Sequence, residues 1–147
     1  MTSARRFCRA DPGDAWKALL DFPGWIDVLD TVEGVQVDPG AYPAPGSTFS
    51  LLTGEGLRMR CRVASLEPGR RMEISVRLLK LVRTEVRNEI EPAAGGCVVS
   101  RRETYHGLLT RALARIWRWR QREEHSAYVR EWCWEAERIT AVRRAGG

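Results

Sequence analysis

The apolar positions of this chain change period along its length. Residues 4–10 alternate weakly and predict a first strand. Asp11-Pro12-Gly13-Asp14 is a turn with helix-start chemistry, Asp11 as N-cap and Pro12 at the first helical position. Ala15, Trp16, Leu19 and Leu20 recur at helical spacing, Phe22-Pro23-Gly24 breaks the run, and Trp25 to Leu29 is a second short helix or turn. Val32, Val35 and Val37 then sit in a strand, followed by a Pro- and Gly-rich loop from Pro39 to Ser47. Phe49 and Leu51 share a strand face, and Gly54-Glu55-Gly56 is a hairpin turn. Leu57, Met59, Cys61 and Val63 alternate with Arg58, Arg60 and Arg62, the pattern of a half-buried strand. Pro68-Gly69 turns the chain into the alternation of Met72, Ile74, Val76 and Leu78, and Val86 and Ile90 carry the next strand. Pro92 to Gly96 is a turn, and Cys97 to Tyr105 is the last strand.

Residues 108 to about 142 contain no proline or glycine and predict one long helix. Its first half has an apolar face of Leu109, Ala112, Leu113, Ile116 and Trp117, which continues into Arg120, Glu124, Ala127 and Tyr128. Its last part has Val129, Trp132, Cys133, Ala136 and Ile139 on roughly the opposite side, at about 100° per residue. The helix must bend, break near Gln121 to His125, or bury two sides against different partners. The element order is strand, two short helices, six strands and a long helix. It predicts an α+β fold with a mostly antiparallel, curved seven-stranded sheet wrapped around the C-terminal helix. A sheet gripping a helix leaves a mouth where ligands bind.

A length of 147 residues predicts one domain, 1–147, with a core large enough to fold without disulfide or metal. No apolar run of membrane-spanning length and no secretory signal at the N-terminus is present, so a cytoplasmic location is expected. Cys8, Cys61, Cys97 and Cys133 are scattered, without metal-ligand spacing, and are expected to be reduced, buried small side chains with no metal or other cofactor. The net charge of +5 comes from 24 basic and 19 acidic residues, and all the bases but Lys17 and Lys80 are arginines. The charge is concentrated: Leu108 to Arg122 holds five Arg and no acid, while Glu123 to Glu137 holds five Glu and one Arg. That polarity runs against the helix dipole. A homodimer pairing two such helices antiparallel would satisfy it, as would peripheral membrane contact through the Arg- and Trp-rich segment with Trp117 and Trp119. Nucleic-acid binding by the same run is disfavoured, because no RNA-binding motif accompanies it.

Four segments carry a family resemblance. Ala15 to Trp25 looks like a helix-to-turn signature "vW..l.D...w". Pro45 to Phe49 looks like "pG..f", Glu67 to Arg71 like "eP.rr", and Gly95 to Val99 like "gGt.v". In this order they resemble the START-like, or SRPBCC (Bet v 1-like helix-grip), superfamily, and within it the bacterial polyketide cyclase/dehydrase-like branch. The resemblance implies a helix-grip fold, a hydrophobic small-molecule ligand, and Glu137 as the usual Glu near the end of the long helix. It does not specify a reaction. Aromatase/cyclase members are understood to use a pocket Tyr and Arg. This chain has Val32 and Leu66 at those places, which favours a generic ligand pocket over an aromatic cyclase.

Polar residues on apolar faces are the candidate chemistry. Asn88 lies between Val86 and Ile90 on one strand face, where it bonds either a neighbouring strand or a ligand, and Lys80 ends another such face or snorkels from the strand end. If odd residues of the last strand face inward, as Cys97 and Val99 do in the resemblance, Arg101, Glu103 and Tyr105 enter the cavity; otherwise even residues do. Arg120 and Glu124 are an i, i+4 pair, either exposed or gripping a polar ligand group. His106 at the strand–helix junction reads as a structural hydrogen-bonder, and His125 is assigned no role. The expected catalytic set, for cofactor-independent acid–base chemistry on a bound carbonyl compound, is Tyr105, Arg120 and Glu124. The expected binding set is Trp25, Phe49, Met59, Met72, Asn88, Arg101, Glu103, Trp117 and Tyr128. The other functions weighed are a non-enzymatic lipid or isoprenoid carrier and a regulatory or RNA-linked module.

Overall fold

The computed structural model describes residues 2–26, 29, 32–40 and 42–146. Strand β1 (Thr2–Cys8) is followed by α1 (Pro12–Leu20) and α2 (Phe22–Trp25), then by β2 (Val32–Val37), β3 (Thr48–Thr53), β4 (Arg58–Glu67) and β5 (Arg71–Leu78). Strands β6 (Val82–Ala93) and β7 (Gly96–His106) lead into α3 (Leu108–Ile116) and α4 (Arg118–Gly146). The seven strands form one antiparallel sheet in the order β1-β7-β6-β5-β4-β3-β2. This is the expected helix-grip architecture, a sheet closed on α4.

The alternation decides which face of each strand is dry. On β4, Cys61 and Val63 are buried while Arg58, Arg60 and Arg62 are exposed. On β7 the odd residues point inward, with Cys97, Val99 and Tyr105 buried. Register irregularities between Val63 and Ser65 on β4, and between Val32 and Gly34 on β2, bend the sheet. Strand β6 runs through Pro92, where the sequence predicts a turn, because β5 pairs with β6 only as far as Glu89 and Pro92 owes that side no amide. At Gly96 a Cβ would run into the Cys8 carbonyl oxygen, so only glycine lets β1 and β7 meet there.

The second short helix begins earlier than its apolar pattern suggests, at Phe22; Asp27 and Val28 of the expected Trp25–Leu29 segment lie outside the described residues. The long helix is broken at Trp117 (φ −104°, ψ 22°), a few residues before the expected Gln121–His125 changeover. Only one of its two apolar stripes packs. On α4, Tyr128, Val129, Trp132, Cys133 and Ala136 are buried against the sheet and α1. On α3 the buried residues are Thr110 and Ala114; of the expected apolar face Leu109, Ala112 and Ile116 are exposed, while Leu113 and Trp117 border a cavity. The physical reason is tertiary. Gly107 (φ 88°) turns the chain out of β7, and the Thr110 hydroxyl accepts a bond from the Arg83 amide at 3.2 Å, which fixes the side of α3 that meets β6.

The end of the molecule opposite α3 is tied by side chains. The Trp132 indole donates to the Ala15 carbonyl and the Trp25 indole to the Ala18 carbonyl, each at 2.8 Å. Asp11 occupies the N-cap position of α1, but its carboxylate bonds Arg143 and Arg144 and caps nothing. Buried Asp14 accepts from Thr140 at 2.7 Å and from Arg143 at 3.0 Å. Burial raises its pKa, but these two partners more than offset that, and the carboxyl stays below its usual value. Two of the four cysteines expected to be reduced are joined: Cys8 on β1 and Cys133 on α4 form a disulfide with Cα atoms 5.5 Å apart, while Cys61 and Cys97 are free. Residues 125 apart in sequence gave no local sign of that pairing.

Candidate functional site

A cavity of about 290 Å³ lies between the sheet and the α3–α4 corner. Its walls are mostly aliphatic, with Leu29, Val32, Leu51, Met59, Val76 and Val86 from the sheet side and Leu113 and Trp117 from the corner. Most of its polar groups enter along one strip, with Thr53, Glu55, Thr84 and Thr110 elsewhere on the wall. Arg101, Glu103 and Tyr105 come from the odd face of β7, and Gln121, Glu124, His125 and Tyr128 come from successive turns of α4.

The centre of that strip is His125, which is 4% exposed. Arg101 donates from Nε to His125 Nδ1 at 3.1 Å, so Nδ1 is the unprotonated ring nitrogen. The proton then sits on Nε2 and is donated to Glu103 Oε2 in a short hydrogen bond. Arg101 also reaches the Asn88 side-chain carbonyl at 3.3 Å and lies 3.8 Å over the Tyr128 ring. Burial pushes the Glu103 pKa up, but the His125 bond and the Arg101 charge reverse the shift, and its carboxyl stays below the usual range. Tyr105 donates to Gln121 Oε1 at 2.7 Å and its hydroxyl also meets Thr2 at 2.8 Å. Burial, with the Glu103 charge beside it, pushes the Tyr105 phenol up to about 12, so it remains a donor at neutral pH.

Glu124 sits nearer the mouth, bonded to Arg120 at 3.3 Å, and Arg120 also holds Glu55 of the β3–β4 turn at 2.5 Å. Burial raises the Glu124 pKa and Glu103 adds to it, against the pull of Arg120. A carboxyl raised in this way is a better proton acceptor near neutrality than an ordinary one.

The structure brings together Tyr105, Arg120, Glu124, Met59, Arg101, Glu103, Trp117 and Tyr128 on the cavity wall. It packs the other expected binding residues behind the wall. Phe49 and Met72 are sealed in the core, Trp25 lies edge-on against Tyr128 with its indole spent on Ala18, and Asn88 stands under Arg101 as its register partner on β6. Their faces are the inward ones, but they sit where α1, α2 and the buried half of α4 already fill the space. Lys80 is in the exposed β5–β6 turn with φ 60°, and His106 stands beside Glu85 at 3.2 Å at the surface. His125, central to the strip, has no signal of its own in the sequence. Extending the Tyr128, Val129 and Trp132 stripe back one turn reaches it. Among the described residues, Cys8, Cys133 and Glu137 are the group whose ligand atoms lie close enough for a metal, within 4.8 Å of one another, but the two sulfurs are bonded to each other. Glu137 accepts from the Arg9 amide at 3.0 Å and does not reach the cavity. Among the described residues no helix is long and apolar enough to cross a membrane.

Solved structures share this fold at low identity. A Thermus thermophilus protein, TTHA0849, superposes with a TM-score of 0.71 and 15% identity over 95% of this chain and 98% of its own. Protein MLL2253 from Mesorhizobium loti gives 0.65 and 17% over 94% of each chain. StfQ, the di-domain ARO/CYC from the steffimycin biosynthetic pathway, gives 0.67 and 17% over 99% of this chain, which spans 51% of that protein. No curated protein matches the sequence. The family model described as polyketide cyclase / dehydrase and lipid transport matches residues 2–136, from β1 through the buried half of α4, and the chain belongs to that family.

Proposed function

We propose that this chain binds a mainly apolar, polyketide-like small molecule in the cavity, with a carbonyl or hydroxyl end turned to the Arg101–His125–Glu103 strip. The observation that carries this is a buried polar cluster, partnered on both sides of His125, set into one wall of an otherwise aliphatic cavity. Such a cluster orients a ligand by its polar end while the aliphatic walls supply affinity. The chemistry it supports is cyclisation or dehydration by acid–base catalysis. Glu124 takes a proton from the carbon beside a carbonyl; in cyclisation the enolate carbon attacks a second carbonyl of the same molecule, whose C=O opens to an alkoxide that protonated Glu124 neutralises, and in dehydration the enolate expels its β-hydroxyl, which leaves as water with that same proton, while Tyr105 donates a hydrogen bond to the enolate oxygen and Arg120 holds Glu124 in place. Native mass spectrometry of freshly purified protein tests binding directly. A copurified small molecule, lost when Val76→Trp fills the cavity, is the expected result. A bare chain that also fails to bind hydrophobic fluorescent probes saturably overturns the proposal.

A carrier without catalysis is the second reading, and the rim favours it. Leu79 and Leu108 are 71% and 86% exposed at the β5–β6 turn and the start of α3, and Trp119 is exposed near the start of α4. Leu79 and Lys80 hold left-handed backbone (φ 53° and 60°), a strained conformation for non-glycine residues that presents Leu79 outward. Peripheral contact of this rim with a membrane, or with a second copy through α3–α4, would cover it. Light scattering separates the two occupants. A monomer that floats with vesicles supports the membrane, and a stable dimer supports the second copy.

A further inference from the structure

A second concavity, of about 560 Å³, lies on the other side of the α3–α4 corner, against the edge strand β1. Arg111, Arg115, Arg118 and Arg122 line it, with Thr2 and Thr104. The four arginines recur at intervals of four, three and four residues, Arg111 and Arg115 on α3 and Arg118 and Arg122 on α4, and the two pairs face one space across the break at Trp117. Among the described residues no acidic side chain lines the crevice. Among the same residues none of the four is in an ion pair, whereas Arg120, on the cavity side of the same corner, holds both Glu55 and Glu124. The corner therefore sorts its arginines. The one at the cavity mouth is neutralised, and the four in the crevice are not.

That arrangement is unfavourable by itself. Like charges one turn apart repel, and Arg118 and Arg122 stand at the positive end of the α4 dipole, which has no acid in its first turn. An anion in the crevice offsets both contributions by attracting the guanidiniums and the helix N-terminus. We infer that the crevice binds a multiply charged phosphoryl anion. Guanidinium groups present paired N–H forks that match phosphoryl oxygens, and four of them around one space suit a ligand with several negative charges. The lining offers little to an apolar body, since Ala114 is its one aliphatic side chain among the described residues. The ligand class is thus distinct from that of the cavity. Tyr105 and Ala114 line both spaces, and the Tyr105 hydroxyl spans from Thr2 on the crevice side to Gln121 on the cavity side. The inference stands whether or not the cavity holds a polyketide-like molecule.

The phosphoryl group can come from a soluble oligophosphate or from a phosphomonoester lipid headgroup, and two arms distinguish these sources. In one, inorganic tripolyphosphate is titrated into the full chain by calorimetry at fixed ionic strength. In the other, the chain is floated with phosphatidylcholine vesicles with and without phosphatidic acid. Arg115→Ala/Arg118→Ala removes two crevice guanidiniums at exposed helical positions where alanine keeps the helix, and a thermal melt verifies folding. Arg58→Ala/Arg77→Ala removes the same charge from exposed strand positions outside the crevice. The expected result is saturable binding in at least one arm, weakened about tenfold or more by the crevice pair and less than about twofold by the strand pair. Arg115→Lys/Arg118→Lys, which keeps the charge but loses the forks, is expected between the two. Binding of tripolyphosphate alone assigns a soluble ligand, and binding of phosphatidic acid vesicles alone assigns a lipid headgroup. Equal weakening by the two alanine pairs, or no saturable binding in either arm, overturns the inference.

Discussion

The two ends of the helix layer obey opposite rules. At the closed end, the second half of α4 buries Tyr128, Val129, Trp132 and Ala136 and is tied to β1 and α1 by a disulfide, an indole hydrogen bond and the buried Asp14–Thr140–Arg143 cluster. At the open end, α3 buries Thr110 and Ala114, exposes Leu108 and Ile116, and leaves a cavity on one side and an arginine crevice on the other. Residues of similar hydrophobicity therefore do different things. In the closed half they provide stability, and in the open half they form a rim. Local stability is correspondingly uneven, and sites that admit ligands are drawn from the less packed end.

The largest expected effect is at the closed end. Reducing Cys8–Cys133 releases a 125-residue separation, and chain entropy puts the loss at up to about 5 kcal/mol, read as a drop in urea midpoint with reductant. Thiol titration of the unfolded, unreduced chain should find two free cysteines, Cys61 and Cys97; four would remove the disulfide from the comparison. Trp132→Ala deletes a fully buried indole and its bond to Ala15 and is expected to cost about 3–5 kcal/mol in the same assay. A loss below that of Trp119→Ala would invert the two ends.

His125→Ala tests the junction between them. It removes the His125 donor from the half-buried Glu103 carboxylate, at an expected cost of about 1–3 kcal/mol and with loss of ligand or probe binding. His125→Gln, which can still donate, should recover part of the stability, and failure to do so would argue against the assigned tautomer.

The ends should also differ in pH response. Asp14 is held low, so its contribution is present above its unfolded pKa and is lost as pH falls through the folded one. Asp14→Asn should flatten the acid limb of the stability–pH curve. Glu124 is raised, so the native state binds more protons than the unfolded chain, and its contribution falls as pH rises from the unfolded through the folded value. Glu124→Gln should therefore gain stability at neutral pH relative to mildly acidic pH. A loss there would mean that Arg120 outweighs burial. The smallest effect belongs to the rim, where Leu108→Ser should change stability by less than about 0.5 kcal/mol.

Much of this fold is legible in the pattern. Period and turn signals identified all seven strands, and the odd phase of β7, which delivers Arg101, Glu103 and Tyr105, follows from carrying Cys97 and Val99 forward. Other features have no local signature. The break at Trp117 involves neither proline nor glycine, and no residue of its own segment marks it. Asn88 and Arg101 are neighbours only because β6 and β7 pair in that register. Phe49, Met72 and Trp25 share the inward face with true cavity residues, and nothing in their own segments says that α1 and α4 cover them.

The sequence by itself determined the strands, the helices and the inward faces, because period and turn chemistry act over a few residues. It also placed the excess charge in one stretch of helix. The tertiary structure alone decided which apolar stripe is buried, that Cys8 meets Cys133, that His125 stands between Arg101 and Glu103, and that the excess charge lines a crevice. Those outcomes depend on which groups from distant segments share a limited space, and the amphipathic pattern of one helix is silent about what is packed against it.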